Sequence, residues 1–178
     1  MTRLIFCLLI VSIIIGCKSR IGNSNSEYLG TNDYKGILIL KRDKKTSMYA
    51  YYDENGNKVL GDYYAAYTDT IKDFGIVSDP SSVLIDRKGK HIYNIFIFDN
   101  GPDYTSDGLY RIVENGKIGY VDSITSRLVI KPIYDCAWPF ENGKAKVSMN
   151  CKTIRDGEHS RWESEEWFYI DKQGRKIK

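Results

Sequence analysis

From residue 34 onward, apolar positions come in short runs cut by clusters of Asp, Asn, Gly, Lys and Arg. Residues 36–40 (GILIL) and 48–52 (MYAYY) read as strands. The charged stretch 41–45 (KRDKK) reads as the turn between them, and Asn55-Gly56 marks the next turn. No segment of this region places apolar side chains at i, i+3, i+4 and i+7, so helix is confined to a turn or two near residues 62–67 or after Pro80. The pattern predicts an all-β fold of short, mostly antiparallel strands.

One phrase recurs: two apolar or aromatic residues, Asp, two residues, Gly, then a polar residue. YYDENGN carries Asp53 and Gly56, LIDRKGK carries Asp86 and Gly89, and YIDKQGR carries Asp171 and Gly174. YVDSITS carries Asp122 without the glycine. An aspartate at a strand end caps the following turn with its side-chain oxygen, and glycine supplies the positive φ that closes it. The aspartates step by 33, 36 and 49 residues, while a second phrase at Gly75, Gly108 and Gly143 steps by 33 and 35. The long interval therefore holds an insertion, assigned to residues 151–166, with Arg155-Asp156-Gly157-Glu158 as its hairpin turn. A period in the thirties is the mark of a repeat architecture. About four imperfect units are expected over residues 34–178, arranged as a meander or solenoid-like stack.

The segment Asn115-Gly116-Lys117-Ile118-Gly119-Tyr120-Val121-Asp122 resembles the core of the WG repeat, a Gly-Lys-Trp-Gly-Tyr-Ile-Asp phrase. The continuation through Lys131-Pro132-Ile133-Tyr134-Asp135 and Phe140-Glu141-Asn142-Gly143-Lys144-Ala145-Lys146-Val147 is similar to the same family. Ile118 stands where the family has Trp, and the glycine after Asp122 is missing. The resemblance is fullest over residues 108–147, with degenerate copies on either side. It implies β-rich repeats and an interaction role, and brings no catalytic residues. Residues 49–56 and 167–174 also resemble the aromatic hairpins of choline-binding, cell-wall-attaching repeats, whose period is nearer 20.

The N-terminus adds a location. Arg3 precedes an apolar stretch at residues 4–15 (LIFCLLIVSIII), too short for a membrane span and suited to a signal-peptide core. Ile14-Ile15-Gly16-Cys17 resembles the bacterial lipobox. That resemblance implies cleavage after residue 16, lipidation of Cys17 and anchoring to a membrane through its acyl chains, each buried CH₂ contributing about 0.8 kcal/mol. Residues 17–33 are polar and read as a flexible tether. Lys18 after the cysteine is compatible with delivery to the outer membrane, facing the periplasm.

Composition narrows the chemistry. The chain of 178 residues is 42% hydrophobic and 28% charged, so it folds as a globular protein. A net charge of +3 without a basic block gives no reason to expect nucleic acid as a partner. His91 and His159 are the two histidines, and neither Cys-x-x-Cys nor Gly-x-Ser-x-Gly occurs. No catalytic residues, metal ligands or cofactors are therefore assigned, and an enzyme is not expected. Cys136 and Cys151 remain after the leader and the lipidated cysteine are set aside. They either form a disulfide, at home in an oxidising compartment, or stay as two buried thiols. Residues 99–107 hold three carboxylates and read as an extended turn between repeats rather than a Ca²⁺ loop. Aromatic residues are the remaining candidates for recognition: Tyr63, Tyr64, Tyr67, Trp138, Trp162 and Trp167. The sequence thus predicts a membrane-anchored lipoprotein of the bacterial envelope that binds a protein partner, or alternatively cell-wall or envelope glycan through its Tyr and Trp faces.

Overall fold

The computed structural model describes residues 35–177; the predicted leader, Cys17 and the tether lie outside the described residues. The first half of the chain forms β1 (Leu38–Arg42), β2 (Tyr49–Tyr52), β3 (Lys58–Tyr63), β4 (Ala65–Ala66), β5 (Thr70–Ile71), β6 (Phe74–Ser78), β7 (Ser82–Asp86), β8 (His91–Ile95), β9 (Ile97–Phe98) and β10 (Gly101–Pro102). The second half forms β11 (Leu109–Glu114), β12 (Lys117–Asp122), β13 (Leu128–Tyr134), β14 (Cys136–Ala137), β15 (Lys144–Ser148), β16 (Lys152–Asp156), β17 (His159–Glu163), β18 (Phe168–Asp171) and β19 (Lys176–Ile177). The fold is all-β and antiparallel, with no helix among the described residues.

Four three-stranded meanders follow one another: β1-β2-β3, β6-β7-β8, β11-β12-β13 and β15-β18-β19. The last strand of each meander, or its continuation, pairs with the first strand of the next. Past β3 the chain continues into β4, which pairs with β6. Strand β8 pairs directly with β11. Past β13 the chain continues into β14, which pairs with β15. This hand-over joins neighbouring units through backbone hydrogen bonds. It also builds the seven-stranded sheet β13-β12-β11-β8-β7-β6-β4.

The central strands are apolar on both faces, which is why they read as continuous runs rather than alternating ones. In β7, Val83 and Ile85 enter a cluster with Leu38, Tyr51 and Tyr63, while Leu84 between them enters a second cluster with Tyr110, Ile112 and Val121. In β12, Ile118 and Tyr120 face a third cluster with Phe140, Val147 and Ile170. Period-two alternation thus distributes one apolar run between two cores.

Each recurring aspartate holds its own turn. Oδ1 of Asp86 accepts from the amides of Lys88 and Lys90, and Oδ1 of Asp171 from those of Gln173 and Arg175. Gly89 and Gly174 follow at positive φ, and each donates its amide to its aspartate's carbonyl. The Asp122 copy does without glycine because its loop is one residue longer: the Asp122 amide donates to the Arg127 carbonyl, and Ser126 takes the left-handed position at φ 53°. Asp43 builds the same longer loop with Ser47 at φ 61°, a further copy that the phrase search misses.

Two local expectations are corrected. Residues 62–67 and those after Pro80 are not helical: Tyr64 and Tyr67 donate their amides to Ser78 and Ile76 of β6, so the backbone is committed to the sheet. Lys41 and Arg42 belong to β1 rather than to a turn. Their cations sit over the rings of Tyr52 and Tyr49, which lets charged side chains cover the strand.

Candidate functional site

The site begins with a buried arginine. Arg111 lies in the middle of β11, with its side chain 2% exposed. Its guanidinium meets Asp103 in a two-pronged pair: Nε donates to Oδ2 at 2.9 Å and Nη2 to Oδ1 at 2.5 Å. The backbone amide of Arg111 also donates to Oδ2, and Nη1 donates to the carbonyl of Ala137 at 3.0 Å. The guanidinium carbon lies 4.2 Å from the centre of the Phe96 ring. A buried cation satisfied on every side is structurally committed, because leaving its partner out would strand a charge in the interior.

Residues 99–107 are therefore more than a turn. Strands β9 and β10 form a small hairpin closed by Asp99 and Asn100, both at positive φ. Asp103 then folds back, donating its amide to the Phe96 carbonyl while its carboxylate holds Arg111. This excursion carries Phe98 and Tyr104, whose rings pack edge to face at 5.6 Å. On the other side, the Ala137 carbonyl fixes the base of Trp138. Tyr120 Oη donates to the Trp138 carbonyl at 2.6 Å, and the Trp138 amide donates to Lys146. Burial pushes the Tyr120 phenol well above the usual tyrosine range, so it stays a donor at any physiological pH.

Between these walls runs an open groove of about 380 Å³. Phe98, Tyr104, Trp138 and Tyr169 line it, with Lys144 and Lys146 along one side. Trp138 is 46% exposed and the other three rings are similarly half-exposed. The two ammonium groups lie over rings, Lys144 on Tyr169 at 5.0 Å and Lys146 on Trp167 at 4.9 Å.

Of the predicted recognition residues, Trp138 lines this groove, and Trp162 and Trp167 do not line it but touch residues that do, Trp138 and Lys146. Trp162, from the inserted hairpin β16–β17, packs edge-on against Trp138 at 5.3 Å and against Phe96 at 5.8 Å. A chain of contacts thus runs from Arg111 through Phe96 and Trp162 to Trp138. Tyr63 is withdrawn from any surface: it is 3% exposed and packs edge-on against Tyr51 in the first core. Tyr64 and Tyr67 are exposed in the first unit and line none of the groove. Cys136 and Cys151 are joined as a disulfide, with Cα atoms 5.8 Å apart. The bond ties the foot of the inserted hairpin to the residue that precedes Ala137 and Trp138. His91 and His159 are both exposed.

Sequence reasoning misses Arg111, Asp103, Phe98, Tyr104 and Tyr169 as parts of one site. Nothing periodic links them; an arginine inside the apolar strand LYRIVE is the one local signal that a buried partner is required.

Neither a curated protein nor a solved structure matches the chain. Residues 118–152, which run from β12 through Trp138 to the start of the inserted hairpin and supply Trp138, Lys144 and Lys146 to the groove, match the family model described as the WG containing repeat, a match that supports a repeat-based module.

Proposed function

We propose that this protein is a non-catalytic binding module that holds a protein partner at the groove around Trp138. The observation that carries the reading is the set of four half-exposed aromatic rings fixed on a rigid base. Aromatic side chains in that state are where interface energy concentrates, and the buried Arg111–Asp103 pair ties the excursion that carries Phe98 and Tyr104 to the base of Trp138. We place the module at the bacterial envelope, anchored through acylated Cys17 to the outer membrane and facing the periplasm. The lipobox-like sequence supports this, and a disulfide is at home in that oxidising compartment.

The test is photo-crosslinking in cells. A benzophenone side chain replaces Tyr104 in the full-length protein, with Tyr64 as the control site, and adducts are identified by mass spectrometry. An envelope protein captured from position 104 and not from 64 is the expected result; equal capture at both would remove the groove from the reading. Mass analysis of the same material reports the lipid on Cys17. A second reading, glycan binding, draws on Asn142 and Glu141 beside the exposed rings, polar groups suited to sugar hydroxyls. Sedimentation with purified peptidoglycan, lost on Trp138→Ala, would favour it.

A further inference from the structure

Lys144 and Lys146 alternate along β15, so both side chains emerge on the face that lines the groove. No carboxylate of the described residues lies within salt-bridge distance of either ammonium. Each cation instead rests on an aromatic ring, Tyr169 or Trp167. This differs from Lys117, Lys58 and Arg175, which have carboxylate partners. Among the groove's lining residues Glu141 is the one carboxylate, so the two lysines leave a local excess of positive charge beside the apolar wall.

The rings also have a particular arrangement. Phe98 and Tyr104 are inclined at 73°, and Trp138 and Trp162 at 75°. Rings packed edge to face do not form one continuous flat platform on which a sugar ring stacks. The backbone beside the groove is already engaged: the Ala137 and Trp138 carbonyls accept from Arg111 and Tyr120. A guest strand would share these two carbonyls with donors already in place, which favours recognition by side chains.

We propose that the groove takes an acidic peptide segment that also carries aromatic residues. Its carboxylates meet Lys144 and Lys146, and its rings pack against Phe98, Tyr104 and Trp138. This rests on the reading of the protein as a binding module and specifies the chemistry of the guest.

The experiment uses the full-length lipidated protein in nanodiscs of neutral phosphatidylcholine. The probes are a random Glu/Tyr copolymer, a Glu homopolymer, a Lys/Tyr copolymer and polygalacturonate as an anionic glycan, with tryptophan fluorescence as the readout. The expected result is saturable binding of the Glu/Tyr copolymer at least tenfold tighter than that of any other probe. The double variant Lys144→Glu/Lys146→Glu is expected to lose at least tenfold of that affinity, and Tyr104→Ala likewise, both with near-ultraviolet circular dichroism retained. Comparable affinity for the Glu homopolymer, tighter binding of polygalacturonate, or unchanged affinity in the charge-reversed variant overturns the proposal. If the Glu/Tyr copolymer is ignored while position 104 still captures an envelope protein in cells, the guest's chemistry is wrong and the module reading stands. If neither occurs, both fall.

Discussion

Arg111 and Asp103, eight residues apart in the chain, meet side by side in the interior, and the same guanidinium reaches the carbonyl of Ala137 in the next unit. Three segments are thereby fixed to one cation: the β11 backbone, the β9–β10 excursion and the base of Trp138. Asp103→Ala is expected to destabilise the fold by roughly 3–5 kcal/mol, because it leaves an uncompensated buried charge. Urea denaturation of the variant, followed by tryptophan fluorescence, measures this; a loss under about 1 kcal/mol would mean that the pair is not the keystone of the site.

Gly119, the second glycine of the WG-like phrase, has a different requirement from the first, Gly116. A Cβ on Gly119 would lie 2.6 Å from the Ile130 carbonyl oxygen and 2.7 Å from the Pro132 nitrogen, where the β12–β13 register shifts. At Gly116 there is open space, and the constraint is φ +74° in the tight turn after Asn115. Gly119→Ala is expected to cost about 3 kcal/mol or more, as backbone must move. Gly116→Ala is expected to cost about 1–2 kcal/mol through its left-handed conformation. Thermal denaturation of the two variants side by side checks the order, and the reverse order would contradict the close approach.

The disulfide spans 15 residues. Its removal by Cys151→Ser is expected to lower stability by about 3 kcal/mol. The prediction is read as the difference in urea midpoint between oxidised wild type and variant. Reduced wild type should behave like the variant, and a reductant-insensitive midpoint would argue that the thiols are free.

Acid sensitivity should originate in the turns. The Asn57 side-chain amide, followed by backbone amides, holds the Asp53 carboxyl below the usual aspartate range, and the Thr125 amide does so first for Asp122. A carboxyl whose folded-state pKa lies below its unfolded value, about 3.9, contributes stability that is complete above that pH. The contribution is lost as pH falls through the folded value. The urea midpoint is therefore expected to decline below about pH 4, more shallowly in Asp122→Asn, with no contribution from these groups between pH 6 and 8. An equally steep acid limb in the variant would sink this assignment.

Much of the fold was legible because it is local. An aspartate, its turn and a left-handed residue sit within five or six positions, so Asp53, Asp86 and Asp171 announce themselves. Even the copy without glycine is closed by a neighbour, Ser126. What was not legible depends on register and on distant pairing. Tyr63 and Tyr64 are adjacent and chemically identical, yet Tyr63, the last residue of β3, is buried, while Tyr64, at the bend between β3 and β4, is 65% exposed. Asp103 looked like one more turn carboxylate until the excursion carried it under Arg111. Trp138 was visible as a candidate, but its companions come from two other segments, Phe98 and Tyr104 from the β9–β10 excursion and Tyr169 from β18.

The inserted hairpin β16–β17 leaves the sheet between β15 and β18, yet Val147 and Phe168 pair directly across its base. The repeat thus closes its ladder over its own interruption. In evolutionary terms that junction is a socket: a segment of another length, returning to the same two positions, would leave the hydrogen-bonding of β15 and β18 intact while giving the module a new appendage beside Trp138. What is plugged in there can be exchanged with the scaffold beneath left unaltered.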